Sequence, residues 1–211
     1  QCNDNSRAPV ARSGNRADHG LPADAIVFSA FHQAQKIRAD VFAAWMGILK
    51  DLPGAALWLA DQKPAVRDNL RKAAQAAGIE AERLVFAEKL RLDAHLARLA
   101  EADIALDTAP YNGHTTTSDA LWAGVPVLTW KGTSFAGRVS ESLLSAVGLP
   151  ELVANDINGF GRLAVELAQD GARLARLRQH LLDARVTASL FDTVGTTRAI
   201  ESHFERLYRP Q

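Results

Sequence analysis

The sequence predicts an α/β fold in which a parallel sheet carries helices on both faces. Six short apolar runs alternate with longer stretches of helical periodicity. Strand, helix and strand in that order build right-handed βαβ units. The runs are apolar throughout rather than alternating, as expected of parallel strands that are covered on both faces. With 211 residues, 47% of them hydrophobic, the chain is long enough to bury such a core.

Runs of apolar residues that include β-branched or aromatic side chains define the strands. In chain order, the predicted strands are residues 25–30, 55–60, 84–87, 103–107 and 126–129, with a weaker one at 151–154. The predicted helices between them are residues 39–50, 64–77, 93–102, 116–123 and 135–147. The fourth of these helices stops at Gly124 before Pro126, which is an ordinary C-terminal signal. Three more helices, rich in Leu, Ala and Arg, close the chain at 156–169, 171–184 and 197–208.

Composition divides the chain into three parts. Residues 1–22 are rich in Asn, Arg, Gly and Asp without a period, so we interpret them as a linker that enters from a missing segment. The chain opens without an initiator Met and without the apolar stretch of a signal peptide, which favours the tail of a longer protein. Residues 23–190 are predicted to form the main lobe. Residues 191–211 are predicted to form a C-terminal helix that packs back on it.

Charge and cysteine content exclude several classes of protein. Lys plus Arg and Asp plus Glu are both 24, so the net charge is zero and argues against a nucleic-acid partner. No apolar run approaches the roughly 20 residues that span a bilayer, so no membrane partner is expected. The single cysteine, Cys2, excludes an internal disulfide framework and a multi-cysteine metal site. We therefore expect a cytoplasmic protein.

The loop after the fourth strand is the strongest candidate site. Ligands of open parallel sheets bind beyond the carboxyl ends of the strands. Here Pro110 and Gly113 end the strand and favour a turn, and an imidazole and several hydroxyls follow at 114–118. Hydroxyls and free amides at the positive end of a helix form a phosphate site, where His114 would donate and Asp119 would accept from ribose.

A purely structural interpretation of the same loop stays open. Thr116 and Asp119 have the spacing of a capping box, in which a hydroxyl caps the helix and a carboxylate follows three residues later. A carboxylate in the first helical turn also suits the helix dipole. Asp119 therefore fits both interpretations.

Two further loops lie at the same predicted edge of the sheet. The turn after the first strand contains Gln33, an amide that donates or accepts, and Lys36, a point charge for a diphosphate. The loop after the third strand supplies Lys89, Arg91 and His95. A solvated lysine and a structural histidine are the simpler interpretations of each residue taken alone.

Several standard signatures are missing. The chain has no G-x-x-x-x-G-K-[ST] loop, no G-x-G-x-x-G after the first strand and no G-x-S-x-G elbow. It has no Asp-x-Asp pair and no histidines spaced i, i+4, so no metal site is predicted. What remains is a parallel α/β domain that could hold a nucleoside diphosphate with lysine, imidazole and helix-end donors.

The sequence resembles the C-terminal catalytic lobe of the protein O-linked N-acetylglucosamine transferases and their SPINDLY-like bacterial relatives, from about Gly20 to Tyr208. The most specific block is N-G-H-T-T-x-x-D-x-L-W-x-G, which starts at Asn112. The blocks G-L-P-x-D-A-I-V-F from Gly20 and F-x-Q-x-x-K-I from Phe31 also match. The resemblance implies the donor-binding, Rossmann-like lobe of a two-lobed GT-B glycosyltransferase. It implies an inverting, metal-independent transfer of N-acetylglucosamine from UDP-GlcNAc to Ser or Thr of proteins.

The resemblance also implies roles for individual residues. Gln33 and Lys36 would contact the diphosphate and the sugar, and Lys36 would be catalytic because it offsets charge on the leaving phosphate. His114, Thr115 and Thr116 would hold the phosphates. The nucleoside contacts are implied for Leu90, whose backbone would meet the uracil edge, for His95 near the uridine, and for Asp119 at the ribose.

The sequence departs from the family in two respects. Animal members carry a lysine at the position of Leu92, so that nucleotide contact is lost or is made by Arg91 or Lys89. In addition, the first catalytic lobe, with its candidate base histidine and much of the acceptor cleft, is expected to precede Gln1, as are tetratricopeptide repeats. Alone, this chain is expected to bind donor weakly and not to turn over.

Two other functions stay open. Plant SPINDLY-type members use GDP-fucose, although their equivalents of His114 and Asp119 tend to differ, which favours UDP here. A non-catalytic nucleotide-sugar-binding module would keep the same fold, but the presence of Lys36, His114 and Asp119 counts against it.

Overall fold

A computed structural model describes residues 5–208 as an α/β lobe around one parallel sheet. Cys2 and the first four residues of the predicted linker lie outside the described residues, as do the last three of the predicted C-terminal helix. The strands are β1 Val27–Ala30, β2 Ala56–Ala60, β3 Leu84–Ala87, β4 Ile104–Leu106, β5 Val127–Trp130 and β6 Val153–Ala154. Their order across the sheet is β3-β2-β1-β4-β5-β6, and every neighbouring pair is parallel.

The helices alternate with the strands as predicted. They are α1 Ala39–Asp51, α2 Pro64–Ala76, α3 Leu92–Leu99, α4 Thr115–Trp122, α5 Val139–Ala146, α6 Ile157–Gln169, α7 Gly171–Thr187 and α8 Thr193–Tyr208. The largest shifts of a boundary are four residues: α5 begins at Val139 instead of residue 135, and α8 begins at Thr193 instead of residue 197. The loop before α5 is tied elsewhere, because the Asn112 amide donates to Ala136 O at 2.9 Å. In the same loop, a side chain at residue 132 would clash with the backbone of Gly137, so this position needs glycine.

The predicted α/β fold class is confirmed, and its core lies on both sides of the sheet. Helix α1 packs against α6, whereas α4 packs against α3 and α7. All four residues of β1 are buried, as are Trp45, Trp58 and Phe160. Strand order reverses between β1 and β4, and ligands of open parallel sheets bind in the crevice at such a switch point. The loops that follow β1 and β4 therefore meet where a ligand is expected.

The described part of the predicted linker, from residue 5 to residue 22, lies against the lobe. Arg12 and Arg16 each pair with Asp103 at 2.7 Å, and Arg16 is buried. Nearer the start of the segment, Arg185 donates to Val10 O at 2.8 Å. These contacts fix the segment along the lobe from the start of β4 towards α4 and α7. The division of the chain at residues 22 and 190 stays a prediction.

The C-terminal helix contacts the lobe at its start. Leu190 and Phe191 are buried just before α8, but α8 itself has no buried residue as far as residue 208. Phe204 and Leu207 are 67% and 83% exposed. Packing back on this lobe, as predicted for 191–211, is thus limited to the start of the segment, because no described surface lies beneath the apolar face that follows. No helix within residues 5–208 combines the length and apolarity needed to cross a membrane.

Candidate functional site

The candidate site is a turn between β4 and α4, and a buried carboxylate shapes it. Asp107 follows β4 and is 1% exposed. Its Oδ1 accepts from the Gly113 amide at 2.6 Å, and its Oδ2 accepts from the Thr129 hydroxyl at 2.7 Å. A buried carboxylate with hydrogen bonds to both oxygens is a rigid anchor. Asp107 therefore fixes the turn that contains the predicted phosphate ligands.

Side-chain hydrogen bonds lock the same turn from both sides. Asn112 is fully buried and donates from Nδ2 to Thr108 O at 2.8 Å. Gly113 O accepts from the hydroxyls of Thr117 and Ser140, each at 3.0 Å. An alanine Cβ at Gly113 would lie 2.5 Å from the Thr116 hydroxyl and 2.6 Å from that of Thr117. The close approach of these hydroxyls thus requires glycine.

Helix α4 starts one residue earlier than predicted, and the capping box is wrong. Its first residue is Thr115, and His114 occupies the N-cap position without a side-chain cap. The carboxylate of Asp119 pairs with Arg7 instead of returning to the cap. The first backbone amides of a helix have no acceptor within the helix. Those of α4 lie at the positive end of its dipole, where an anion is favoured.

Two predicted phosphate ligands present buried polar atoms without a partner. Within residues 5–208, His114 Nε2 and Thr116 Oγ1 are buried and make no hydrogen bond, and the same holds for His32 Nδ1, Trp45 Nε1, Trp58 Nε1, Glu101 Oε2 and Ser118 Oγ. An unpaired buried polar group costs roughly 1–3 kcal/mol, which a bound ligand offsets by supplying the missing partner. His114 and Thr116 both belong to the N-terminal turn of α4. Their unpaired atoms fit an anionic ligand with several acceptor oxygens.

Lys36 reaches this turn from the other side of the crevice. Its Nζ donates to Asn112 O at 2.9 Å and lies 4.1 Å from the centroid of the Tyr111 ring. The Tyr111 ring stacks on His114 with centroids 5.3 Å apart. Burial lowers the pKa of Lys36, while the charge of Asp107 opposes that shift. Lys36 and His114 therefore both contact the Tyr111 ring.

His95 and Thr116 line one small cleft with Phe31 and His32. The His95 ring packs edge-on against Phe31 at 5.1 Å, and its Nδ1 accepts from Arg98 at 3.2 Å. His95, which follows β3, and Thr116, which follows β4, thus lie at one end of the sheet, as the sequence predicts.

The remaining predicted ligands are more exposed. Gln33 is exposed and accepts from Gln35 at 2.6 Å. Leu90 is 41% exposed, Leu92 is 50% exposed, and Thr115 is also exposed. Arg91 and Lys89, the expected substitutes for the family lysine, point to solvent, and Arg91 lies 3.7 Å from Asp93. The roles proposed for these residues stay predictions.

No metal site is evident in the described part of the chain. Between residues 5 and 208, no three His, Cys, Asp or Glu side chains are grouped so that they could hold a metal ion. The cationic and donor groups of the site are Lys36, the α4 amides and the hydroxyls of its first turn. Independence from metal stays a prediction that a chelator experiment can test.

Comparison with known proteins decides the family. Residues 6–200 match the family described as Glycosyl transferase family 41. The chain belongs to that family. It is 39% identical over 178 residues to the UDP-N-acetylglucosamine--peptide N-acetylglucosaminyltransferase of Caenorhabditis elegans, covering 84% of this chain and 16% of that protein. It is 33% identical over 189 residues to the probable UDP-N-acetylglucosamine--peptide N-acetylglucosaminyltransferase SPINDLY of Petunia hybrida, covering 87% of this chain and 20% of that protein.

A solved structure supports the same placement in family 41. A mutant O-GlcNAc transferase of Thermobaculum terrenum superposes with a TM-score of 0.84 and 34% identity, over 98% of this chain and 38% of that one. The predicted family and the GT-B type of fold are thereby confirmed. The chain spans about a fifth of the length of its curated relatives. It therefore corresponds to one lobe of the proteins that it matches.

Several structural residues of the family 41 lobe escaped prediction. Asp107, Asn112 and Ser140 shape the turn, although none was predicted to be part of the site. A carboxylate directly after a buried strand is a signal that the sequence offered for Asp107. Ser140 lies 27 residues beyond Gly113, and no local pattern relates the two. Arg7 reaches the site through a tertiary contact alone, whereas His32 belongs to the predicted turn after β1 but was not singled out there.

The stability of the family 41 lobe is expected to fall in mild acid. Burial and the nearby charge of Arg98 lower the pKa of His95 from 6.5 to about 4, and burial lowers that of His32. Unfolded imidazoles keep the higher value, so between these pH values the unfolded chain binds more protons than the folded one. Each proton of difference lowers the free energy of unfolding by about 1.4 kcal/mol per pH unit as the pH falls.

Urea unfolding between pH 7 and pH 4.5 measures this effect. The variant His95→Gln removes one buried imidazole and is expected to flatten the loss of stability below pH 6.5. His203→Gln, at an exposed position of α8, is the matched control and should follow the native profile. Parallel profiles for His95→Gln and the native chain would contradict the buried neutral state of His95.

Proposed function

We propose that this chain is the donor-binding lobe of an inverting, metal-independent glycosyltransferase. The enzyme transfers N-acetylglucosamine from UDP-GlcNAc to Ser or Thr hydroxyls of proteins. The names of the relatives support this donor and a peptide acceptor. The proposal includes an N-terminal lobe of the same polypeptide, preceded by tetratricopeptide repeats, and a cytoplasmic location.

One observation carries the proposal. Buried, unpaired His114 Nε2 and Thr116 Oγ1 lie at the N-terminus of α4, at the switch point of the sheet, and Lys36 approaches from the loop after β1. This arrangement suits a diphosphate better than a neutral ligand, since it combines a cation, helix amides and side-chain donors. The amides of Thr115 and Thr116 would meet phosphate oxygens. Asp119 would accept from the ribose, and Gln33 would contact the diphosphate and the sugar. The backbone of Leu90 would contact the uracil edge, and His95 would lie near the uridine.

The chemistry proposed for these residues is stabilisation of a leaving group. The acceptor oxygen forms a bond to C1 of the sugar while the bond from C1 to the phosphate oxygen breaks and UDP leaves with the electron pair. The hydroxyl proton passes to a base outside this chain. Negative charge then grows on the β-phosphate, where Lys36 and the α4 N-terminus offset it. Such fixed donors replace the charge that a divalent cation supplies in other transferases.

Transfer to peptides by the complete polypeptide tests the proposal. With UDP-GlcNAc, mass spectrometry is expected to find N-acetylhexosamine on Ser or Thr. The anomeric proton coupling in an NMR spectrum of the product should show the β-configuration that inversion produces. A chelator should leave the rate unchanged. The His114→Ala variant removes a phosphate donor and should slow transfer by about tenfold or more, the scale of a hydrogen bond to a charged group.

The other two functions give different results in the same assay. A GDP-fucose transferase would label the peptide with deoxyhexose from GDP-fucose and not from UDP-GlcNAc. A non-catalytic module would bind nucleotide and transfer nothing from either donor. Either result would contradict the proposal.

A further inference from the structure

Asp119, the carboxylate proposed to bind ribose, is held by an arginine from the far end of the chain. Arg7 Nη1 lies 2.6 Å from Asp119 Oδ1, across 112 positions of sequence. The two side chains are only 16% and 7% exposed. Ion pairs with such limited access to water are screened less than surface pairs. The Arg7–Asp119 ion pair is therefore stronger than a pair between two exposed side chains.

The backbone around Arg7 is fixed on the lobe. Next to Arg7, Ala8 O accepts from the Trp122 indole of α4 at 3.4 Å. Val10 O accepts from Arg185 of α7 at 2.8 Å. Asp119 and Trp122 lie three positions apart on α4, so the segment runs along one face of that helix. The contacts of Ala8 and Val10 thus position Arg7 beside Asp119.

Arg7 acts on the charge and on the orientation of the carboxylate. Burial raises the pKa of Asp119, while the hydrogen bond and charge of Arg7 lower it. An ionised carboxylate accepts hydrogen bonds from hydroxyls, and these charge-assisted bonds are stronger than those to a neutral acid. Arg7 engages Oδ1, and a carboxylate has about four acceptor positions on its two oxygens. The pair therefore leaves acceptor positions for ribose hydroxyls.

We propose that Arg7 is a positioning residue of the donor site, which keeps Asp119 ionised and aimed at the ribose hydroxyls. This inference rests on the proposed function and extends its site to a segment more than 100 residues upstream of α4. Nucleotide binding then depends on how the N-terminal segment, residues 5–22, is positioned on the lobe. Arg7 also gives this lobe a preference for nucleotides with intact ribose hydroxyls.

Nucleotide affinity of the 211-residue chain tests this role. UDP and an analogue lacking both ribose hydroxyls are titrated against the native chain, Arg7→Ala, Arg7→Lys and Asp119→Asn. Arg7→Ala is expected to weaken UDP binding by about tenfold, the scale of one hydrogen bond to a charged group. The analogue should lose less, so the ratio of the two affinities falls towards that of Asp119→Asn. Arg7→Lys keeps the charge and should restore part of the ratio.

Arg12→Ala is the matched control. Arg12 belongs to the same segment and also pairs with an aspartate, Asp103, which Arg16 holds as well. The segment therefore stays tied in this variant, and UDP affinity should not change. A loss equal to that of Arg7→Ala would assign the effect to seating of the segment in general and overturn a specific role of Arg7.

The remaining outcomes separate this inference from the proposed function. If Asp119→Asn weakens UDP binding and Arg7→Ala does not, Arg7 is not a positioning residue, although the donor site stands. Tighter UDP binding by Arg7→Ala would show that Arg7 competes with ribose, which also overturns the inference. If Asp119→Asn has no effect either, the proposed ribose contact itself fails. Thermal unfolding of each variant verifies that the lobe is folded.

Discussion

Replacing Gly113 with alanine is expected to weaken UDP binding by at least about tenfold. The new Cβ would lie 2.5 Å from the Thr116 hydroxyl and 2.6 Å from the Thr117 hydroxyl. Thr117 is held by its hydrogen bond to Gly113 O, so Thr116 and the start of α4 have to move. The displaced Thr116 hydroxyl would lose its hydrogen bond to a phosphate oxygen; such a bond to a charged group contributes roughly 1.5–3 kcal/mol, and 1.4 kcal/mol corresponds to a factor of ten in affinity. Calorimetric titration of UDP measures the loss.

Gly47→Ala is the matched control for this substitution. Gly47 lies in α1, where an added Cβ would meet nothing within 4 Å. Alanine there is expected to stabilise the lobe by roughly 0.5–1 kcal/mol, because helical glycine is costly, and to leave UDP affinity unchanged. A Gly113→Ala chain that binds UDP like the native one would contradict the close-packed phosphate turn.

Replacing Lys36 with alanine in the complete enzyme is expected to lower turnover by about 100-fold or more. Removal of one preorganised electrostatic donor has effects of that size. Lys36 is held beside the phosphate turn by Asn112 O and Tyr111, so its charge is in place before the reaction starts. Because the charge on the leaving phosphate develops in the transition state, kcat should fall more than KM rises. Steady-state kinetics with UDP-GlcNAc separate the two constants.

A second lysine provides the comparison for that experiment. Lys72 is exposed on α2, and Lys72→Ala removes the same charge away from the switch point of the sheet. Its kcat should equal that of the native enzyme. A Lys36→Ala enzyme with native kcat would contradict the role of Lys36 in stabilising the leaving group.

The order and type of the elements followed from sequence because they depend on local patterns. The buried run Val27–Ala30 and the proline-led helix Pro64–Ala76 carry their own signals of hydrophobic content and helix initiation. The start of α5 was misplaced because it depends on a distant contact, the bond from the Asn112 amide to Ala136 O. The exposed face of α8 was also missed, since periodicity shows that a helix has an apolar face but not what covers it.

The residues of the candidate site also differ in whether a local sequence pattern predicts them. His114, Thr116 and Lys36 stood out because donors gathered in loops after predicted strands, and these loops meet at the switch point. The capping box failed because α4 begins at Thr115, which places His114 and not Thr116 at the N-cap, and Asp119 pairs with Arg7 instead. No local pattern identifies a partner so far away in the sequence. The ligand-binding residues could therefore be predicted from sequence, whereas the residues that hold them in place could be identified only from the structure.

Titration of this chain with UDP and with GDP tests the central claim most directly, namely that its α4 turn and Lys36 hold the diphosphate of UDP. Calorimetry is expected to show UDP binding that is weakened in Lys36→Ala and in Asp119→Ala, with GDP bound less well by the native chain. Absence of UDP binding, a preference for GDP, or UDP binding that neither substitution weakens would contradict the claim.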